Sequence, residues 1–520
     1  MLTSKTSGLP SITTANDRFA TIPKEAVPRS SFNRSCGYKT TFNAGELIPF
    51  YWDEVLPGDT HNVKATTLAR LSTPFVPIMD NIWAETFFFF VPNRLLWTNW
   101  EKFNGQQTNP GDSTTFTVPI VSTPAPGWTT GSLADYFGIK PGITGSTVPW
   151  GVAAFYMRAY NLIWNEWFRD ENLQNSITVN TDNGPDGPTD YVLRSRGRRH
   201  DYFTSCLPWP QKGTALRVPI DSVVTNNVSP TFTGGGYTNR NPYALADGDM
   251  VLSGAAAAAG TLAFGNQSGL AAIGGTINEL RQAEQLQVLL ERDARGGTRY
   301  TEVIRQHFGV ISDDARLQRP EYLGGGKQNM NITPIPQTSV SAATPQGNLA
   351  ATGTFGGSHG GFTKSFTEHG VIIGLIAVTA DQTYQDGLDR AYSRQTRYDY
   401  FWPALQNLGE QAVLQKEIQM TDTAARENVF GYQERYGEYK HKTSQVTGLM
   451  RSSASGSLDI WHLAMDYSAG VALNSNFIAD VPPIDRVVAV PTEPQIILDA
   501  YFNVTSARPM QTYSIPGGRL

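Results

Sequence analysis

"TFFFFVPNRLLW", residues 86–97, decides how this chain can fold. Four consecutive phenylalanines (Phe87, Phe88, Phe89 and Phe90) run into Val91 and Pro92, then Leu95, Leu96 and Trp97. A β-strand sends successive side chains to opposite faces. Phe87 and Phe89 therefore point one way and Phe88 and Phe90 the other. Each buried ring covers about 150–250 Å², so both faces must be dry. One face can pack on a core, and the other needs a second apolar surface. A membrane does not supply it. The apolar run stops at Pro92, Asn93 and Arg94, and Glu85 stands before it, whereas a spanning helix needs about 20 apolar residues. The opening "MLTSKTSGLPSITTANDRF" has no apolar h-region, so export through a signal peptide is not expected. The second face is expected to meet protein.

Composition narrows the class. The 520 residues would make roughly three domains at about 150 residues each, a weak prior for all-β chains. Charged residues are only 17% of the chain, below the roughly 25% of an average soluble domain. Such a low surface charge suits a protein largely covered by partners. The net charge of −5 excludes nucleic-acid binding by bulk positive charge; a basic patch or a separate basic partner would be needed. Cys36 and Cys206 lie far apart without Cys-x-x-Cys spacing and read as free thiols. Neither they nor the histidines form a metal-ligand pattern, and no cofactor is expected.

Residues 1–30 are polar and proline-punctuated, and read as an extended arm. Region 38–97 is rich in Thr, Phe, Ile, Val and Trp, and predicts three or four strands with turns at "LPGDT" (56–60) and "MDN" (79–81). "AAFYMRAYNLIWNEWFRDEN" (153–172) changes to helical spacing, with Phe155, Ala159, Leu162, Ile163 and Trp167 on one face. A second helix is expected near Thr276, where Thr276 and Glu279 have capping-box spacing and Gly296–Gly297 supplies the stop. Between the helices, residues 218–275 are poor in charge and rich in Gly, Ala, Asn and Ser, and read as an insertion projecting from the surface. Buried strands are expected within 361–385, 455–468 and 494–510. Strands at both ends of one chain argue for a mainly β fold, an eight-stranded antiparallel jelly roll whose terminal segments pair, occupying 31–520 as one domain with long insertions.

Three motifs compete for a function. "GGSHG" (356–360) matches Gly-x-Ser-x-Gly and would put a nucleophile at Ser358, but the motif works only on a strand-to-helix elbow. Here it reads as a glycine-rich loop ahead of a strand. "GGGKQ" (324–328) lacks the Ser/Thr and the upstream glycine of a phosphate loop and reads as a turn. "RSRGRRH" (194–200) is the dense basic cluster, followed by Tyr202, Phe203 and Trp209. Arg194, Arg196, Arg198 and Arg199 could pair phosphates while the aromatics stack on bases. An inter-subunit salt-bridge patch serves arginine equally well, and both readings stand.

"TTFNAGELIPFYWDEVLPGDT", "RLSTPFVPIMDN", "FFFFVPNRLLWTNWEKFNG", "RRHDYFTSCLPWPQKG" and "ARGGTRYTEVIRQHFGVISDDARLQRPEYLGG" resemble, in order, the major capsid protein of the Microviridae, above all its gokushovirus branch. The resemblance implies a jelly-roll subunit without enzymatic activity, repeated in a 60-subunit T=1 icosahedral shell around circular single-stranded DNA. It implies a virion location, assembly in the bacterial cytoplasm and pentamer intermediates. The implied partners are a small basic DNA-binding protein, scaffolding and pilot proteins, and a host surface receptor. The 218–275 insertion would form protrusions at the threefold axes and serve host attachment. On this reading neighbouring subunits cover the second face of the phenylalanine strand, and Phe87, Phe88, Phe89, Phe90 and Trp97 pack core or interface. A carbohydrate-binding jelly-roll protein acting as a free oligomer, and a Ser358 hydrolase, are the alternatives.

Overall fold

The computed structural model describes residues 28–143, 150–214, 232–234, 237–240, 242–244, 250–252, 277–296, 300–309, 318–341 and 344–513. The expected N-terminal arm lies outside these except for residues 28–30. Region 30–92 holds strands β1 (Ser30–Asn33), β2 (Cys36–Phe42), β3 (Ile48–Val55), β4 (Thr60–Leu71) and β5 (Ile82–Pro92). The turn expected at 56–60 forms. Gly58 takes a φ of 91°, and the Asp59 carboxylate accepts the Leu56 N–H at 3.0 Å.

Five longer strands follow: β6 (Glu321–Asn329), β7 (Asn331–Pro336), β8 (Leu349–Ser365), β9 (Gly370–Ala380) and β10 (Ile496–Arg508). These ten strands form two antiparallel sheets. In the first, β1 and β2 share one edge of β10, followed by β4, β8 and β7. The second runs β6–β5–β9–β3. The two ends of the chain do pair: β10 lies between β2 and β4, with Ile496 opposite Phe42 and Leu71.

Burial follows the layers. β4 and β10 alternate buried and outward-facing residues, as strands with one dry face must. All eleven residues of β9 are buried, because that strand is covered on both sides. Between the sheets Phe50 meets Phe502 at 5.1 Å and Phe88 meets Phe362 at 5.5 Å, centroid to centroid. On the far side of the second sheet lies a helical layer, α1 (Phe155–Ile163) continued by a π turn over Trp164–Phe168. Met157, Tyr160 and Ile163 share one apolar cluster with Val371, Ile373 and Leu375 of β9.

The expected helix face is therefore partly right. Ala159 and Ile163 are buried, but Trp167 is 41% exposed. The wider π turn changes the phase of the side chains after Ile163, so a strict 3.6-residue period no longer applies. The second helix, α2, spans Ile277–Arg295 with Gly296 after it. Its expected cap Thr276 and the Gly297 stop lie outside the described residues, as does most of 218–275. Of that segment the described parts form two short antiparallel pairs, Phe232–Gly234 with Tyr237–Arg240 and Pro242–Ala244 with Met250–Leu252.

Three expectations need correcting. "GGGKQ" is not a turn but part of β6, and "GGSHG" is not a loop but part of β8, beside a bulge between Ser358 and Gly361. Glycine is required there because backbones approach closely: a Cβ on Gly325 would sit 2.0 Å from the Thr86 oxygen, and one on Gly361 2.3 Å from the Val63 oxygen. The third is 455–468, which holds a 3-10 turn at Asp459–Trp461 in place of a strand. Side chains satisfy its backbone instead of a ladder. Asp80 accepts the Leu463 N–H, Arg486 donates to the His462 and Ala464 carbonyls, and Gln385 donates to that of Met465.

Gly374 of β9 stands directly opposite Phe88 of β5, and a Cβ there would lie 2.8 Å from the Phe88 ring. Gly374→Ala is expected to cost about 1–3 kcal/mol, as overpacked cores do, read as a lower urea midpoint with an unchanged slope.

Candidate assembly surface and arginine cluster

The phenylalanine run alternates as strand geometry requires. Phe88 and Phe90 enter the core between the sheets, where Phe90 meets Phe366 at 4.6 Å. Phe87 and Phe89 face the helical layer, 5.3 and 5.9 Å from Phe168. The second face is thus covered by the chain's own insertion after β5, and a neighbouring subunit is not needed to bury Phe89, which is 1% exposed. Trp97 is fully buried among Trp100, Phe103 and Phe155, and its indole N–H donates to Asn183 at 2.8 Å.

The segment carrying the four arginines runs as an extended strap. The Arg196 N–H donates to the Gly45 carbonyl at 2.8 Å, the Asp480 N–H donates to the Arg196 carbonyl at 2.8 Å, and the Arg198 N–H donates to the Ile478 carbonyl at 2.8 Å. Arg196 and Arg199 both pair with Glu85 of β5, which is almost buried, and Arg199 also reaches Asp381 at 3.1 Å. Arg198 is buried over the Phe477 ring, donating to the Tyr467 hydroxyl at 2.6 Å and the Ala479 carbonyl at 3.1 Å. Arg194 lies over the Trp164 ring at 5.8 Å. Arg198 is buried, and Arg194, Arg196 and Arg199 are half-buried.

Asp480 is buried beside this cluster. Loss of water around the carboxyl pushes its pKa up to about 6, against the opposing pull of Arg196, Arg198 and Arg199. Its unfolded value is 3.8, so between about pH 4 and pH 6 the folded chain holds more proton than the unfolded one. Stability contributed by this group is therefore complete below pH 4 and is lost as pH rises through 6. The stability difference between the unsubstituted chain and Asp480→Asn should fall by about 2 kcal/mol from pH 4 to pH 7, measured by urea unfolding at each pH.

A Ser–His–Asp chain does exist, away from Ser358. Ser506 Oγ lies 3.0 Å from His61 Nδ1, and His61 Nε2 lies 3.2 Å from Asp59 Oδ2. All three side chains are sealed from solvent, so no substrate can reach the hydroxyl. Burial lowers the His61 pKa, opposed by Asp59 and Asp53, while Arg34 and Arg508 pair the carboxylates. The group is a clasp holding the start of β4 to the end of β10. Ser358, by contrast, is exposed on β8, opposite Thr66, in a continuous strand without the elbow a nucleophile needs.

A cluster of exposed aromatic residues was missed in the sequence. Tyr392, Tyr398, Tyr400, Phe401 and Trp402 are each about half exposed or more, and Tyr439 joins them. Local contacts tie the segment together. Thr396 and Asp399 form a capping box, the Trp402 indole donates to the Arg397 carbonyl at 2.8 Å, and Arg394 lies 4.3 Å over the Tyr439 ring. "RAYSRQTRYDYFW" (390–402) interleaves arginines and aromatics more densely than "RSRGRRH", and that was the available signal. Exposed rings beside arginine are the residue types enriched at interface cores.

Two packed antiparallel sheets thus carry a sealed hydroxyl–imidazole–carboxylate chain and an exposed aromatic surface. Comparison with known proteins identifies the family. The model of the family described as "Capsid protein (F protein)" matches residues 20–518, and the chain belongs to that family. It is 46% identical over 524 residues to the capsid protein VP1 of Bdellovibrio phage phiMH2K, covering 96% of this chain and 97% of the relative. It is 41% identical to the capsid protein VP1 of Chlamydia phage 1, covering 98% and 99% of the two chains. Identity to the capsid protein VP1 of Spiroplasma virus 4 is 37%, over 95% and 96%. The role is structural, not enzymatic: a capsid subunit that assembles with copies of itself in the virion.

Proposed function

We propose that this chain builds a 60-subunit T=1 icosahedral shell around circular single-stranded DNA, assembling in the bacterial cytoplasm through pentamers. The observation that carries the reading is strand order. β2–β10–β4–β8 lie against β3–β9–β5–β6, and except for β5 to β6 each of these strands hands the chain to the opposite sheet. That order supports reading the fold as an eight-stranded jelly roll, with β1 and β7 as additions at its edges. Residues 31–520 then form one domain whose long insertions follow β5 and β9. The 218–275 part of the first insertion serves as the threefold protrusion and host attachment element. The net charge of −5 leaves most phosphate neutralisation to a small basic DNA-binding protein. Scaffolding and pilot proteins and a host receptor complete the partners.

Sedimentation velocity of the purified chain, with electron micrographs of the fast fraction, tests this. Discrete pentamers and uniform round shells are expected. Small oligomers that bind glycans and never close into shells, even with scaffolding protein added, would overturn the reading in favour of a free carbohydrate-binding oligomer.

A further inference from the structure

We propose that the cavity beside Arg435 and Tyr436 is a binding site for a small tetrahedral oxyanion, inorganic phosphate. Its volume is about 420 Å³, within the range of small-molecule pockets. Its walls come from two segments, the turns of 390–399 and the antiparallel pair Glu410–Leu414 with Val429–Glu434, including the two residues that follow it. Tyr436 carries the argument. It is the only non-glycine residue with a positive φ among the described residues, 63°, a backbone conformation that a Cβ disfavours. That conformation sets a side chain only 3% exposed against the cavity, with a hydroxyl that has no hydrogen-bond partner. The Nε atoms of Arg394 and Arg435, which line the same cavity, are likewise buried and unpartnered. Three such donors around one cavity are costly unless a ligand there accepts from their groups.

The charge of the lining points to an anion. Its carboxylates are engaged: Glu410 pairs with Arg295, Glu417 pairs with Arg390 at 3.0 Å, and Asp399 accepts the Gln395 and Thr396 N–H groups at 3.0 and 2.7 Å. Arg394 pairs with Glu438 at 3.3 Å and Lys416 with Glu427 at 2.7 Å. Arg435, half-buried, forms no ion pair and no side-chain hydrogen bond among the described residues, so it is the surplus cation of the site. A carboxylate has two oxygens in one plane and is filled by a single guanidinium fork. Here the donors stand on both walls, Arg394 on one and Arg435 with Tyr436 on the other, which suits an anion with oxygens in several directions. The two rings that line the cavity, Tyr398 and Tyr436, each already carry an arginine, Arg397 at 5.0 Å and Arg435 at 5.1 Å. That leaves the bases of a nucleic-acid strand little to stack on, and favours a free anion.

The test is equilibrium dialysis of radiolabelled inorganic phosphate against the full-length chain, in chloride at constant ionic strength. Saturable uptake of one phosphate per subunit is expected. Arg435→Gln should weaken it about tenfold to a hundredfold, the range for losing a hydrogen bond to a charged group, and Tyr436→Phe by about tenfold. Neither the Arg435 guanidinium nor the Tyr436 hydroxyl has a hydrogen-bond or ion-pair partner among the described residues, so melting temperatures in chloride alone should hold in both variants. The rise in melting temperature that phosphate gives the unsubstituted chain should shrink in both. No saturable uptake by the folded chain, or uptake that both variants leave unchanged, would overturn the site. Displacement by acetate as effective as by sulfate would overturn it in favour of a carboxylate ligand. Displacement by oligo(dT) as effective as by unlabelled phosphate, at equal phosphate concentration, would overturn it in favour of a nucleic acid. The cavity lies within one subunit, so the result does not depend on whether shells form.

Discussion

Phe88→Ala should lower folding stability by about 3–5 kcal/mol, while Phe87→Ala, one residue away in an identical run, should cost no more than about 2 kcal/mol. Phe88 is fully buried between the sheets, touching Phe50, Tyr51 and Phe362, with Gly374 of the next strand beneath its ring. Truncation there removes a ring from a site that rigid sheets cannot collapse to fill, so a cavity cost adds to the lost transfer energy. Phe87 is only partly buried, between Phe168 and the Arg196 guanidinium, in a layer of side chains able to shift. Urea titration of the soluble fraction measures both. Equal losses would show that the two faces of β5 are packed equally tightly, against the assignment of the main core to Phe88 and Phe90. Phe88→Asp should yield no folded subunit, because no cation lies among its ring neighbours to pair the buried carboxylate.

Glu85→Ala is the second large effect, expected at about 3–5 kcal/mol, the range for removing one partner of a buried ion pair. Arg196 and Arg199 converge on this carboxylate with both oxygens occupied, and Lys327 stands 3.9 Å away. Removing it leaves the Arg196 guanidinium against the Phe87 ring without its counter-charge, and Arg199 over the Trp83 ring with Asp381 alone. Glu85→Gln should recover part of the loss by keeping hydrogen-bond acceptance. If the cluster is an internal fastener, Glu85→Gln particles that do assemble should carry a normal amount of DNA. A selective loss of DNA with unchanged stability would return Arg196 and Arg199 to a nucleic-acid role.

How much of this was legible in the sequence can be traced residue by residue. The alternation of Phe87 to Phe90 is a property of any extended strand and was readable at once, as was the need for two dry faces. The same sequence held the answer in the apolar face of 153–172, yet nothing local says that this face and that of β5 cover one another. The glycines of 324–326 and 356–361 were misread for a related reason. In a sequence glycine signals a turn, but here it marks where two backbones approach within a strand, which depends on a partner far along the chain. In the arginine cluster, the partners of Arg196, Arg198 and Arg199 within the chain, Glu85, Asp381, Tyr467 and Ala479, all lie far away in sequence, so no local pattern names them.

By itself, then, the sequence determined the local and periodic features: strands within 38–97, the strands β9 and β10, the helical spacing of α1, and through ordered blocks of residues the family. These depend on side-chain alternation, propensity and turn chemistry, which act over a few residues. Only the tertiary structure decided what covers each face and what each charge is for. Those outcomes come from contacts between segments 78 to 445 residues apart, such as Phe89 with Trp167 and Tyr322, Arg196 with Glu85, or Ser506 with His61. Burial and ion pairing are properties of a pair, and one member's sequence context carries no record of the other.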